Sequence, residues 1–312
     1  MWFLMKLKSF YEAQQLNESL ILELFRKADE IRNNPQSFSS ALNGKILATL
    51  FYEPSTRTRL SFESAMLRLG GSVLSTENAK EFSSAVKGES MEDTARIVGA
   101  YSDCIVIRHY EEGTSKRAVS VSPVPIINAG DGKGQHPTQA LLDAYTIFRE
   151  VGKLDGLKVA MVGDLASGRT VRSLCYLLGK YKNNEIIFVS PENLKIKDDI
   201  KEYLTKHNTK WREETNFASV LPIADIVYVT RIQKERISPE EYERAKGKYI
   251  ITEKELALVR PNARIMHPLP HVEELSLPIE IEQTDKRIAY FRQAENGLYV
   301  RMALLLEIIN SN

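Results

Sequence analysis

The sequence predicts an α/β fold in two domains, each a mostly parallel sheet flanked by helices. Three observations predict it. Short β-branched apolar runs recur along the chain, stretches of helical period separate them, and 312 residues suit about two domains at ~150 residues each.

The first run, "KILATLF", spans residues 45–51. It leads through Pro54 into "STRTR" and then "RLSFESAMLRLG", where Phe62, Ala65, Met66 and Leu69 form one helical face and Gly70 ends the helix. "CIVIRH" and "VPIIN" follow as strands. A glycine-rich turn, "AGDGKGQ", runs into a helix beginning near His136-Pro137, with Ala140, Leu141, Ala144, Ile147, Phe148 and Val151 on a broad apolar face. A second α/β unit opens near Gly156 with "LKVAMVGD" and continues with "EIIFVS", "ADIVYVT" and "ARIMH". "HVEELSLPIEIEQTDKR" reads as a flexible connector, and "ENGLYVRMALLLEIIN" as an apolar helix that packs back on the first domain. The expected division is 1–140 plus 290–312 against 141–289.

Composition narrows the function. The chain is 43% hydrophobic and 27% charged, with a formal net charge of +1. That balance disfavours a nucleic-acid or membrane-surface binder, so anion binding must come from local clusters of basic groups. Cys104 and Cys175 sit in apolar contexts and read as buried thiols. No CxxC or HExxH spacing occurs, so no metal site is expected. The N-terminal apolar run is short and broken by Lys6, which reads as no signal peptide and a cytoplasmic location.

In open α/β sheets, ligands sit outside the carboxyl ends of strands, often against helix N-termini. The polar clusters fall there. Ser55, Thr56, Arg57, Thr58 and Arg59 follow the first strand. Hydroxyl residues suit a helix start, but arginine opposes the helix dipole there unless an anion is present. The segment alone fits a phosphate cradle and an ordinary serine cap with two solvated arginines equally well. Arg108 ends the second strand; His136 and Gln139 share a helix face after the third. Arg169 follows "VGDLASG", which lacks the GxGxxG of a dinucleotide fold; "GKGQ" is not a Walker A loop, and no GxSxG is present. Arg231 and Gln233 begin "RIQKER", and "PLPH" leaves carbonyls at Pro268 and Leu269 turned outward. Four arginines past strand ends suggest a cleft for several anionic groups. The chemistry is transfer between polyanionic substrates by positioning and charge stabilisation.

"STRTR", "RH" after "CIVI", "HPTQ", "VGDLASGRT", "TRIQKER" and "HPLP", in this order and spacing, resemble the catalytic chains of the aspartate/ornithine carbamoyltransferase family from about residue 8 to 309. The first and third motifs fit any member. "TRIQKER" and "HPLP" are similar to the aspartate-using branch; the ornithine branch carries an "SMG" loop and "HCLP". The resemblance implies carbamoyl phosphate and L-aspartate as substrates, carbamoyl-aspartate and phosphate as products, no cofactor, and a site in the cleft between domains. It assigns Ser55, Thr56, Arg57 and Thr58 to the phosphate. Thr58, Arg108 and His136 fall to the carbamoyl oxygen, and Gln139 with the Pro268 and Leu269 carbonyls to the carbamoyl NH2. Arg169, Arg231, Gln233 and Leu269 fall to aspartate, and Arg59 to a supporting ion pair.

The polar stretch "TENAKEFSSAVKGES" reads as a mobile surface loop. By the resemblance it reaches a neighbouring subunit's site through Ser83 and Lys87, which implies a homotrimer with shared sites; Lys87 would touch both substrates. Regulatory chains or a dihydroorotase are further partners the resemblance admits. His271 departs from the family's Arg and is expected to loosen an ion pair. Two other readings stay open: a transcarbamylase for ornithine or a derivative, and a non-catalytic α/β protein that senses an anionic metabolite.

Overall fold

A computed structural model describes residues 7–82, 84–233 and 238–311. The chain divides into two units, Met1–Leu142 with Glu295–Asn312, and Asp143–Ala294. Each is a parallel sheet with helices, as the sequence predicts.

The first unit holds β1 (Ile46–Phe51), β2 (Ser72–Glu77), β3 (Cys104–His109) and β4 (Ile126–Asp131) in the order β2-β1-β3-β4. All pairs are parallel. β1, β3 and β4 are almost wholly buried, because helices cover both faces of a parallel sheet. On one face Ala48 and Leu50 pack with Ile105, Ile107, Met91 and Ala95. The helix Thr56–Arg68 lays Phe62, Ala65 and Met66 inward, the face its 3.6-residue period requires. The C-terminal helix Tyr290–Asn310 contributes its later turns to this unit. Arg32 donates to Asn296 Oδ1 at 2.6 Å, and the Arg301 guanidinium lies 5.1 Å from the Phe62 ring centre.

The second unit holds β5 (Lys158–Val162), β6 (Glu185–Val189), β7 (Lys210–Glu214), β8 (Ile226–Val229) and β9 (Arg264–Met266) in the order β7-β6-β5-β8-β9, again all parallel. Val162, Val189, Val229 and Ile265 lie in one core with Leu256, Val259 and Tyr290.

Both orders place a topological switch point mid-sheet, between β1 and β3 and between β5 and β8. There the connections turn to opposite edges and open a crevice at the carboxyl ends. Gly163 marks the second. Its φ is +116°, and a Cβ there would stand 2.1 Å from the Thr230 carbonyl, so only glycine lets the two strand exits run this close.

Two stretches carry more local structure than their sequence reading. Among the described residues of 76–90, the chain finishes β2, then forms the helix Ala79–Phe82 and a 3-10 turn Ser84–Lys87. Residues 271–287 are not a loose connector. They bury Glu274 and Leu275 and hold the helix Ile279–Thr284; Arg287 then donates to the Leu256 and Val259 carbonyls at 2.7 and 2.8 Å.

Candidate active site

The residues singled out lie beyond strand ends in both units: Ser55–Thr58 and Arg108 at the first switch point with His136 and Gln139 after β4, and Arg169 and Arg231 at the second with Pro268 and Leu269 after β9. In the first unit, β1 and β3 are neighbours in register, Phe51 opposite Arg108, and the Tyr52 N–H donates to the Arg108 carbonyl at 2.8 Å. The Ser55–Thr58 segment leaves β1 where Arg108 leaves β3.

Ser55 occupies the N-cap of the Thr56–Arg68 helix, yet its side chain makes no capping hydrogen bond, and the first turn carries no acidic residue. Elsewhere in the chain Asn17, Ser90, Asn216 and Thr252 do accept from their helices, and the helices behind Asn17, Ser90 and Thr252 open on Glu or Asp. Ser55 therefore does not act as an ordinary side-chain cap in this structure. A hydroxyl, first-turn N–H groups and an Arg57 cation at one helix start are chemistry that suits an anion. Burial lowers the Arg57 pKa even though its outer surface meets solvent; a bound anion acts in the opposite direction. Thr58 is buried. Arg59 turns the other way. It pairs with Glu77 at 2.7 Å and lies 3.9 Å from Glu63, tying the helix to β2 as support.

A test separates the two kinds of N-cap. Ser90→Ala should cost about 1 kcal/mol of stability, the usual loss for a cap. Ser55→Ala should cost a few tenths and weaken phosphate binding instead. Thermal unfolding with and without phosphate measures both.

Arg108 donates through Nη1 to the Ala129 carbonyl at 3.3 Å, and its Nε lies 3.6 Å from Glu53 Oε2. Glu53, in "YEPS", is a candidate site residue the sequence reading missed. It faces the guanidinium at the strand end. His136 and Gln139 are both buried at the start of the helix Pro137–Val151, and the His136 carbonyl accepts the Gln139 N–H at 3.0 Å. The preceding turn is braced. Asp131 accepts from the N–H groups of Gln135 and Gly113 at 2.9 and 3.0 Å, and Gln135 Oε1 accepts the Ala13 N–H at 2.9 Å.

In the second unit, Arg169 opens the helix Arg169–Leu178 behind β5 and is buried. This helix too has no side-chain cap, and no acid in its first turn. Arg231 follows β8, with Gln233 two residues on, both partly exposed. Pro268 and Leu269 follow β9, partly exposed, with Leu269 at φ +53°. Lys234 and Arg236 of the same basic run lie outside the described residues, as does Ser83; Lys87 is exposed at the end of its 3-10 turn. His271 stands 3.6 Å from Glu282 Oε1, which also accepts the Tyr290 hydroxyl. The contact is a long one. Cys104 and Cys175 are buried and free, and burial pushes both thiols well up, so neither is a nucleophile at neutral pH.

A family model described as "Aspartate/ornithine carbamoyltransferase, carbamoyl-P binding domain" matches residues 8–149, and its companion, "Asp/Orn binding domain", matches residues 155–308. The chain belongs to the aspartate/ornithine carbamoyltransferase family. Among its relatives, aspartate carbamoyltransferase 1 of Pisum sativum, named as chloroplastic, is 57% identical over 305 residues, 96% of this chain and 78% of that one. The aspartate carbamoyltransferase catalytic subunit of Methanocaldococcus jannaschii is 47% identical over 98% of this chain and 99% of its own. A solved M. jannaschii catalytic subunit superposes with a TM-score of 0.89 at 46% identity, covering 98% of this chain and 99% of that one. A Trypanosoma cruzi aspartate transcarbamoylase in complex with carbamoyl phosphate and aspartate has a TM-score of 0.89 at 37% identity, over 97% and 96% of the two chains. Within this carbamoyltransferase, the first unit's switch point falls in the carbamoyl-phosphate-binding match, and the second's in the aspartate/ornithine-binding match.

Proposed function

We propose that the protein is an aspartate carbamoyltransferase, transferring the carbamoyl group of carbamoyl phosphate to L-aspartate in an early step of pyrimidine synthesis. The observation that carries the aspartate reading is the pair of arginines, Arg169 and Arg231, leaving neighbouring strands β5 and β8. Two guanidinium forks match a dicarboxylate.

In this reading Ser55, Thr56, Arg57 and Thr58 hold the phosphate, with Ser83 and Lys87 supplied by a neighbouring subunit. Thr58, Arg108 and His136 surround the carbamoyl oxygen. Gln139 and the carbonyls of Pro268 and Leu269 accept from the carbamoyl NH2. Arg169, Arg231 and Gln233 clamp the aspartate carboxylates, with Lys87 and Leu269 also against aspartate. The neutral α-amine attacks the carbamoyl carbon and a C–N bond forms. The oxyanion that develops meets donors already in place. The C–O bond to phosphate then breaks, and the departing phosphate takes the amine proton.

A homotrimer with shared sites is part of the proposal. Exposed apolar side chains on the first unit support it: Leu60, Leu67, Leu74, Val86 and Ile97 offer a surface for a second copy. Light scattering tests the assembly, alone or with regulatory chains. A cytoplasmic location is also proposed, and cell fractionation tests it, with an organelle like that of the plant relatives as the contrary outcome.

Product analysis tests the activity. Purified protein given carbamoyl phosphate should form carbamoyl-aspartate from aspartate, with one phosphate released per product, and no citrulline from ornithine. Citrulline formation would move the chain to the ornithine branch, and binding without turnover would make it a sensor.

A further inference from the structure

The tetrapeptide "HPLP" at 267–270 contains two prolines, so its only backbone N–H groups are those of His267 and Leu269. Both are already engaged. The His267 N–H donates to Gln293 Oε1 at 2.9 Å, and the Leu269 N–H donates to the Nδ1 of the His267 ring itself at 2.8 Å. An Nδ1 that accepts carries no proton, so Nε2 is the protonated nitrogen of a neutral imidazole. That Nε2 lies 2.9 Å from Glu274 Oε1, and the same oxygen accepts the Val272 N–H at 3.2 Å.

The arrangement is buried and continues inward. His267 is 2% exposed and Glu274 6%. Burial pushes the Glu274 carboxyl up, but the His267 contact and two backbone hydrogen bonds outweigh it and leave the group below the usual carboxylate range. Gln293 donates to Asp143 Oδ1 at 2.6 Å, and Tyr228 donates to Asp143 Oδ2 at 2.7 Å. A buried polar network of this kind holds its hydrogen-bonded members firmly. Its outermost member is Leu269, a leucine held at φ +53°, where L-residues other than glycine are rarely found without surrounding structure to enforce it.

We infer that His267 is a positioning residue for the carbamoyl group: its Nδ1, with Glu274 facing the other ring nitrogen, holds the Leu269 N–H and so aims the Leu269 carbonyl at the substrate's NH2. This rests on the carbamoyltransferase reading of the site. It assigns the chain's own imidazole a role that requires it to stay neutral, since an imidazolium has no lone pair for Leu269.

Two isosteric half-replacements test it. Asparagine places an oxygen where Nδ1 stands and keeps the Leu269 bond; glutamine reaches toward Glu274 and loses it. His267→Asn should retain kcat/KM for carbamoyl phosphate within ~3-fold, whereas His267→Gln should lose ~10-fold or more, the cost of orphaning a buried N–H. A packing role predicts the reverse, because glutamine fills the space better. Glutamine equal to or better than asparagine, or both like the wild type, overturns the inference. Should neither variant fold, 15N spectra of the unaltered enzyme decide, with the signal identified through Glu274→Gln. A neutral Nε2–H imidazole at 267 between pH 6.5 and 8 (~one unit either side of neutrality) supports it, and an imidazolium overturns it. A wild-type protein that forms no carbamoyl-aspartate would instead sink the reading of the site, whatever the variants do.

Discussion

Replacing Arg108 by alanine should lower kcat by about 10²–10³, the usual loss for one oxyanion donor, with little change in stability. The guanidinium sits at the carboxyl end of β3, bonded to the Ala129 carbonyl and 3.6 Å from Glu53. It is thus held in place before substrate arrives, and needs little rearrangement as charge develops on the carbamoyl oxygen. The Ala129 bond is long and the Glu53 contact a loose one, and contacts of that kind contribute little to stability. Steady-state kinetics with aspartate saturating, alongside thermal unfolding, checks both halves. Arg108→Lys should rescue poorly, since a point charge cannot reproduce the planar fork. Near-wild-type turnover in Arg108→Ala would remove the oxyanion assignment.

The second large effect concerns Lys87. In the proposed trimer it serves a neighbour's site, so Lys87→Ala should lose about two orders of magnitude or more in turnover, as when a charge-stabilising group is removed. Mixing is the sharper experiment. Dissociated and reassembled with Arg108→Ala chains at equal ratio, the two inactive proteins should regain about a quarter of wild-type activity. Random three-membered rings give three-quarters mixed trimers, each with one of three sites built from an unaltered Arg108 and a neighbour's unaltered Lys87. No recovery after confirmed subunit exchange would mean that each chain completes its own site.

How far the sequence reveals this molecule depends on where each element lies in its sheet. β1, β3, β5 and β8 are central, buried on both faces, and written as unbroken apolar runs. β2 and β7 are edge strands. "SVLSTE" is largely exposed and "KWREE" carries four charged residues in five, as edges that must resist further pairing often do. Neither looks like a strand until its neighbour is known. The site divides in a similar way. The helix-start positions of Arg57 and Arg169 were legible, and a cation there opposes the dipole and needs a reason. Glu53 was not, since nothing in "YEPS" says that its carboxylate faces a residue on another strand. The Tyr228–Asp143–Gln293 network was hidden for the same reason: its members stand 85 and 150 positions apart in the chain. The helix-start serine shows the converse. Its sequence fitted a cap and a cradle equally, and only the absence of a capping bond at Ser55 separated them.

The central claim is a division of labour: the cluster beyond β1 and β3 takes carbamoyl phosphate, and the cluster beyond β5 and β8 takes aspartate. Calorimetric binding of carbamoyl phosphate to Arg231→Ala, paired with its aspartate KM, tests this most directly. Carbamoyl phosphate affinity should stay within ~2-fold of wild type, while the aspartate KM rises at least ~10²-fold, as expected when a carboxylate loses its guanidinium partner. Loss of carbamoyl phosphate binding with an unchanged aspartate KM would contradict the account and reverse the two halves.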